Sequence, residues 1–330
     1  MWLPREFLPF SLLLLFSAGC QPNYFLLHPL EPVPGVYREN EFFDRGQLRV
    51  HWLARYLDGQ GSLPAVLVHP DRGSLSDDME GICLALARKG YFAAAVDYQR
   101  LENLKVRNPL MPWKSAEEAT VSLRHLQSHP RVDPGRIALL GYSKGAILSL
   151  QIASLAPDIR GVVAYYPLAD FEEWRQEGKK SFRWRLFSWY FRRQMEKETK
   201  TTSDEELSKK FWGASPINLV DKIQSPVLLV HGEKDRTFPL RQSQRLCQAL
   251  HSAEKSCELL VVPGAGHVFN FLNVGQGEMA WEMTTQFLEL HLKRGPLARP
   301  LIWPGGLPGS FDNRSWPRLY FPVGNTSSLF

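Results

Sequence analysis

Short apolar runs alternate with amphipathic helical patterns along most of this chain, and that alternation constrains the fold more than any other feature. Short runs bounded by turn residues are typical of buried strands, whereas apolar residues at three and four spacing indicate helices. Strands that alternate with helices predict an α/β fold, a mostly parallel sheet covered on both faces. The predicted strands are Ala65–His69, Phe92–Tyr98, Ile137–Tyr142, Gly161–Tyr166, Val227–His231 and Leu259–Val262, and the predicted helices are Asp77–Lys89, Ala116–Ser128, Lys144–Ala156, Leu240–His251 and Glu278–Lys293.

Two segments depart from this alternation. Residues 47–57 alternate apolar and polar side chains, which predicts a half-exposed antiparallel strand. Residues 170–216 are rich in aromatic and basic side chains and are interpreted as a helical cap inserted into the domain. The aromatic residues between Arg183 and Arg193 pack on the body in the simplest interpretation, or else cover a pocket or lie on a membrane surface. At 330 residues the chain is long enough for one sizeable domain, which we expect over residues 36–294. Its 44% apolar residues are ordinary for a globular protein with a buried core.

The two ends of the chain have a different composition. Arg5, an apolar run from Phe7 to Phe16 and the sequence Ser17-Ala18-Gly19-Cys20 predict a signal peptide over residues 1–20. Small residues before a cysteine resemble a bacterial lipobox, so Cys20 is a candidate lipidation site; a signal peptide cut elsewhere is the alternative. We therefore expect an exported, membrane-anchored lipoprotein on the periplasmic or cell-surface side. Residues 21–35 would form a tether and residues 295–330 a Pro/Gly-rich tail.

Charge and cysteine content restrict the partners and the compartment. The formal charge of +5 comes without a dense basic block, so nucleic acid is not an expected partner. Export would permit disulfides, and Cys247 and Cys257 bracket one helix-to-strand connection, whereas Cys83 lies alone in a helical stretch. The spacing permits a Cys247–Cys257 bridge, and three buried thiols are the alternative.

The sequence Gly141-Tyr142-Ser143-Lys144-Gly145 lies between a predicted strand and a predicted helix, the context that the G-x-S-x-G turn requires. Such a turn forces the serine into a strained backbone conformation, and both flanking positions favour glycine because side chains there would clash. The dipole of the helix that starts here favours negative charge near the serine. Ser143 is therefore the predicted nucleophile.

A serine hydroxyl needs a base within hydrogen-bond reach, and that base needs an acid to orient it. Asp235 and His267 follow Ser143 in the order acid, then histidine, and each follows a strand at the sheet edge predicted to carry Ser143. Glu233 is the second candidate for the acid, whereas Asp221 precedes its strand and would lie at the wrong end. The other histidines at strand ends or on helices are interpreted as structural: His125, His129, His231, His251 and His291.

Acyl transfer also needs two N–H donors for the oxyanion. The backbone N–H of Lys144, directly after the nucleophile, is the first candidate. The loop after the strand Ala65–His69 would supply the second, and Asp71 is the candidate because Pro70 has no N–H. We expect the carboxylate of Asp71 to turn away from the oxyanion, toward Arg72.

Together with the Ser143 turn, three segments resemble the dienelactone hydrolase family: residues 163–167 (VAYYP), 225–235 (SPVLLVHGEKD) and 264–267 (GAGH). The resemblance runs from about Leu63 to Leu292. It implies an α/β-hydrolase fold, hydrolysis of a carboxylic ester or lactone by Ser143, Asp235 and His267, and neither a metal nor a cofactor. Dienelactone hydrolases proper use cysteine where this chain has Ser143, so the substrate need not be a dienelactone.

A turn with serine at this place also resembles the turns of prolyl oligopeptidase-like peptidases and of acyl-CoA thioesterases, which can likewise read Ser-Lys-Gly. We expect no propeller-sized domain ahead of the hydrolase region, and an exported enzyme would meet little acyl-CoA. The expected function is therefore hydrolysis of a small-molecule ester or lactone. A surface lipoprotein that uses the fold for binding alone is the alternative from another class. Such a module has no need of a nucleophile, an acid and a base together.

Overall fold

The computed structural model describes residues 34–59, 61–71, 74–101, 103–107, 112–180, 193, 196 and 203–294. The strands in this part of the chain are β1 (Val36–Arg45), β2 (Leu48–Leu57), β3 (Leu63–His69), β4 (Phe92–Arg100), β5 (Asn103–Arg107), β6 (Val132–Tyr142), β7 (Gly161–Tyr165), β8 (Val227–Gly232) and β9 (Cys257–Val262). They form one sheet in the order β1-β2-β4-β3-β6-β7-β8-β9, with β5 paired to the end of β4.

The sheet is parallel from β4 through β9 along this order, and β1 and β2 run antiparallel at one side. The predicted parallel sheet is therefore confirmed. In register, Gly141 of β6 lies beside His69 of β3 and Ala164 of β7. Because the carboxyl ends of parallel strands share one edge, the loops after β3, β6, β8 and β9 meet there.

Strand β2 covers most of residues 47–57 and differs from the prediction in its burial. β2 is antiparallel to both neighbours, as predicted, but it is buried along nearly its whole length rather than half-exposed. Its polar side chains lie inside because they have polar partners there: Arg55 binds Glu80, and Nδ1 of His51 lies 3.2 Å from Oδ2 of Asp97. The polar residues of this alternating pattern are therefore buried and paired with other polar groups, and they do not form a solvent-exposed face.

Helices cover both faces of the sheet. The α-helices are α1 (Glu80–Arg88), α2 (Pro112–Ser128), α3 (Lys144–Leu155), α4 (Phe171–Lys180), α5 (Asp204–Ala214), α6 (Arg241–Ser252), α7 (Phe269–Leu272) and α8 (Val274–Glu289); 3-10 turns span Asp77–Met79, Pro216–Asn218 and Val220–Lys222, and a π-helical turn spans Leu290–Arg294. Leu126, Leu150 and Leu246 bury α2, α3 and α6 in one core cluster. Leu86 and Phe287 bury α1 and α8 in a second cluster. The doubly covered arrangement is thus confirmed.

The segment 170–216 carries α4 and α5, which pack together as the predicted helical cap. Phe171 and Trp174 of α4 and Phe211 of α5 form a small apolar cluster that also includes Ile147 of α3 and Phe238. The cap is therefore fixed both to the helix behind Ser143 and to the loop after β8. The predicted aromatic and basic stretch from 183 to 192 lies outside the described residues.

Cys247 on α6 and Cys257 at the start of β9 form a disulfide with a Cα–Cα distance of 5.5 Å, and Cys83 is a buried free thiol. The bridge ties the middle of α6 to the sheet. Among the described residues, no helix is both long enough and apolar enough to cross a bilayer. The predicted signal peptide with Cys20, most of the tether and the tail over 295–330 lie outside the described residues.

Candidate active site

Ser143 occupies a sharp turn between β6, which ends at Tyr142, and α3, which starts at Lys144. Its backbone has φ 51° and ψ −111°, a conformation that a residue with a side chain rarely adopts. A Cβ on Gly141 would collide with the backbone of Gly145, and a Cβ on Gly145 would collide with the carbonyl of His69. Both flanking glycines are therefore required by close backbone approach, as the sequence predicts.

The structure brings the three predicted side chains together in one hydrogen-bonded chain. Oγ of Ser143 lies 3.0 Å from Nε2 of His267, and Nδ1 of His267 lies 2.7 Å from Oδ2 of Asp235. A carboxylate can only accept, so Nδ1 carries the hydrogen and Nε2 is left to accept the serine hydroxyl. This tautomer is the one that a general base for Ser143 needs.

The carboxylate of Asp235 is buried and held in its ionised form. Its Oδ1 accepts the backbone N–H groups of Thr237 at 2.7 Å and Phe238 at 2.9 Å. Burial opposes ionisation, but hydrogen bonds from His231 and His267 outweigh it and lower the pKa of Asp235 to about 2. Asp235 is therefore ionised at neutral pH, where its Oδ2 can accept the hydrogen on Nδ1 of His267.

Neither rival for the acid reaches His267. Oε2 of the exposed Glu233 accepts the backbone N–H of Gly264 at 2.8 Å. Glu233 therefore ties the loop after β8 to the loop after β9, which carries His267. Asp221 is exposed in a 3-10 turn before β8, at the opposite end of the strand from Asp235. Among the three candidate carboxylates, the geometry therefore singles out Asp235.

Two aromatic rings hold the imidazole of His267 from its sides. The ring of Tyr166 lies 4.5 Å from it between centroids, and the ring of Phe238 meets it edge-on at 5.2 Å. Tyr166 itself has a positive φ of 41° and donates its hydroxyl to Oδ1 of Asn270 at 2.8 Å, three residues beyond His267. The motif VAYYP was the sequence signal for this residue, but its role in fixing the histidine loop depends on contacts that only the folded chain reveals.

The two predicted oxyanion donors lie on segments that converge at the Ser143 turn. Lys144 is the first residue of α3, and Asp71 directly follows His69 and Pro70, whose carbonyls lie close to Gly145. Oδ1 of Asp71 accepts the backbone N–H of Ser74 at 2.8 Å. The expected partner Arg72 lies outside the described residues. Donation to an oxyanion by Lys144 and Asp71 stays a prediction.

The remaining predicted structural histidines have partners outside this site. His125 lies near Glu41, His129 near Glu39, His251 binds the carbonyl of Cys257, and His291 packs on Phe287. His231 differs, because its Nε2 lies 3.4 Å from Oδ2 of Asp235. The sequence places His231 at a strand end and gives no sign of this contact.

One group of side chains in the described residues has the spacing of metal ligands. Ligand atoms of Cys247, His251 and Cys257 lie within 4.8 Å of one another. Both sulfur atoms are engaged in the disulfide, so in this state the group has no thiolate to offer a metal ion.

A family model described as the prolyl oligopeptidase family matches residues 87–294, which is more than half of the chain. A Bradyrhizobium protein named as a probable 2-oxo-3-(5-oxofuran-2-ylidene)propanoate lactonase is 24% identical over 262 residues, covering 75% of this chain and 91% of that protein. The predicted resemblance to the dienelactone hydrolase family is thereby confirmed, and so is the predicted similarity to prolyl oligopeptidase-like proteins.

Solved structures give the same fold. A candidate dienelactone hydrolase from Klebsiella pneumoniae has a TM-score of 0.56 at 18% identity, covering 77% of this chain and 98% of that one. The acylaminoacyl peptidase of Pyrococcus horikoshii has a TM-score of 0.64 at 14% identity, covering 81% of this chain but 44% of the peptidase. This chain thus spans less than half of that peptidase, and both likenesses concern the fold.

Proposed function

The chain belongs to the prolyl oligopeptidase family, and on that basis we propose that it is a serine hydrolase cleaving a carboxylic ester or lactone through an acyl-enzyme on Ser143. The observation that carries this proposal is the hydrogen-bonded chain from Ser143 through His267 to the ionised Asp235. A binding module would not need a strained serine, an oriented base and a buried charge in one line.

The geometry supports each step of acyl transfer. His267 takes the Ser143 proton through Nε2 while Oγ attacks the carbonyl carbon, and Asp235 stabilises the positive charge on the ring. The N–H groups of Lys144 and Asp71 are proposed to stabilise the oxyanion. His267 then protonates the leaving alcohol, and water, deprotonated by the same nitrogen, releases the acid. When a lactone is cleaved, the alcohol stays attached to the acyl group and leaves with it.

A small-molecule ester or lactone is the proposed substrate class. The lactonase relative is named for a lactone, and its similarity to this chain covers nearly all of that protein. A peptide amide is the second candidate, because the family is named for peptidases and the same residues can protonate an amine leaving group. The two candidates differ in the leaving group and not in the nucleophile.

A substrate panel tests this proposal. Purified protein and a Ser143→Ala variant are assayed on p-nitrophenyl esters of increasing acyl length, on an aromatic lactone, and on aminoacyl p-nitroanilides. We expect ester and lactone turnover that Ser143→Ala abolishes. Turnover confined to the anilides would favour the peptidase, and turnover that survives in Ser143→Ala would refute the nucleophile.

We also propose that the chain is exported and anchored by a lipid on Cys20. The apolar run followed by small residues and a cysteine supports export. The Cys247–Cys257 disulfide fits an oxidising compartment. Cys20→Ser should release the protein from membranes during fractionation without added salt. Retention of the variant on membranes would contradict the lipid anchor, and release by high salt alone would indicate a charged surface contact instead.

A further inference from the structure

A second imidazole contacts the carboxylate of Asp235. His231 lies near the end of β8, and its side chain is completely buried. Its Nε2 lies 2.8 Å from the carbonyl oxygen of Phe238 and 3.4 Å from Oδ2 of Asp235. Its Nδ1 lies 2.7 Å from Oγ of Ser243, a buried residue of α6. All the polar atoms of this ring therefore have partners.

These partners fix where the hydrogen sits on the ring. Both neighbours of Nε2 are oxygen atoms that can only accept while Asp235 is ionised, so Nε2 must carry a hydrogen. In the neutral ring, Nδ1 then accepts the hydroxyl of Ser243. The Nε2–H group donates to the Phe238 carbonyl and points its positive end at the same carboxylate oxygen that accepts from His267.

From these contacts we infer that His231 is a positioning residue for the catalytic acid, an inference that rests on the proposed function. The turn from Asp235 to Phe238 closes on itself through Oδ1 of Asp235, and the bond from His231 to the Phe238 carbonyl ties this turn to β8. It acts on the reaction through Asp235 and does not contact the substrate.

The same contact sets the position of Phe238, whose ring meets His267 edge-on. By holding the Phe238 carbonyl, His231 fixes two groups that contact His267. They are Oδ2 of Asp235, which orients the imidazole, and the ring of Phe238, which packs on it. The loops can approach because Gly232, the next residue, lies against the carbonyls of Ala265 and Gly266, where a Cβ would be only 2.6 Å from each oxygen. The loop that carries Asp235, the loop that carries His267 and the end of β8 thus meet around His231.

The ring is linked to α6 on its other side. Ser243 follows Gln242, whose Oε1 accepts the backbone N–H groups of Ala169 at 3.1 Å and Asp170 at 2.8 Å, where the cap begins. Consecutive residues of one helix therefore hold His231 and the entrance to the cap. This arrangement gives His231 a rigid support, which a positioning residue needs.

Three variants test the inference in the full chain. His231→Leu removes all three polar contacts of the ring and keeps a similar volume. His231→Gln retains a donor that can reach the Phe238 carbonyl, and His251→Leu makes the same change at a histidine outside the site. We expect His231→Leu to lower kcat by about 10- to 100-fold with KM within about twofold, since small misplacements of catalytic groups have effects of that size. His231→Gln should recover most of this loss, and His251→Leu should leave kcat unchanged.

A purely structural role would give a different pattern. If His231→Leu loses thermal stability but keeps the wild-type kcat at a temperature where it is folded, the inference is overturned. The same holds if His231→Gln is as slow as His231→Leu while both are folded. Should His231→Leu fail to fold, Ser243→Ala replaces it and is expected to lower kcat in the same direction with KM unchanged; wild-type kcat in Ser243→Ala would then overturn the inference.

Failure of the proposed function would be distinguishable from failure of this inference. If the wild-type protein neither reacts with a fluorophosphonate nor hydrolyses any ester, lactone or anilide, the proposed function fails. If the wild type is active and the His231 variants are equally active, only the positioning role fails.

Discussion

Replacing Asp235 by asparagine removes the charge on the proposed catalytic acid while keeping its shape. The amide can donate toward Nδ1 of His267, which favours the tautomer that cannot accept the Ser143 proton. We expect turnover to fall by a factor on the order of 10⁴, as for other triads, and His267→Ala to cost still more. Glu233→Gln is the matched control, because Glu233 lies in the same turn but binds Gly264 instead.

The same substitution has a pH-dependent effect on stability. The pKa of Asp235 falls from the usual 3.8 to about 2 in the folded protein. A difference of this size corresponds to roughly 2 kcal/mol, at about 1.4 kcal/mol per unit. Because the folded pKa is lowered, this contribution is fully present above pH 3.8 and is lost as the pH falls through about 2. The asparagine variant lacks it at every pH.

Urea unfolding of wild type and Asp235→Asn at pH 6, 4, 3 and 2.5, followed by circular dichroism, measures this contribution. The difference in free energy of unfolding should shrink by an amount on the order of 1–2 kcal/mol between the highest and lowest pH. A constant difference across the series would refute the assignment of a lowered pKa to this carboxyl. A greater loss of turnover in Glu233→Gln than in Asp235→Asn would refute Asp235 as the acid.

Three further changes have expected outcomes. Gly145→Ala should prevent folding of the turn or lower the melting temperature sharply, because the new Cβ collides with the His69 carbonyl. An active variant of wild-type stability would contradict the close approach of Gly145 to His69. Reducing the Cys247–Cys257 bridge, which closes a loop with a sequence separation of 10, should cost about 2–3 kcal/mol in chemical unfolding, and Cys247→Ser should be insensitive to reductant. Tyr166→Phe removes the hydrogen bond to Asn270 but keeps the ring against His267. The free energy of unfolding should fall by about 1 kcal/mol, and kcat should fall less than tenfold. A loss of kcat as large as that of His267→Ala would indicate a direct role of the hydroxyl in the reaction.

The sequence predicts those parts of the site that depend on local signals. Ser143 is flanked by glycines between a strand and a helix, and Asp235 and His267 each follow an apolar run, so chain order and strand direction place all three at one sheet edge. The structure assembles them with the expected hydrogen bonds. The contacts of Tyr166 and His231 depend on which loops lie next to each other in the folded chain. Residue spacing in the sequence does not predict these long-range contacts.

Other differences have equally specific causes. β1 (VYRENEFFDR) is an edge strand whose side chains are mostly exposed, so it lacks the apolar run that marks the inner strands. β5 is short and pairs only with the end of β4. Helix α8 begins at Val274, ahead of the predicted Glu278, because Oδ1 of Asn273 caps it by accepting the N–H of Gln276, and the glycines of its first turn hide this start in the sequence.

Labelling with a fluorophosphonate probe, followed by mass spectrometry, tests the central claim most directly. The probe phosphonylates a serine only when a neighbouring base activates it and the oxyanion site accepts the product. The wild-type protein should gain one adduct on the peptide that contains Ser143, His267→Ala should react much more slowly, and Ser143→Ala should not react. An unlabelled wild type, or an adduct that persists in Ser143→Ala, would contradict the account.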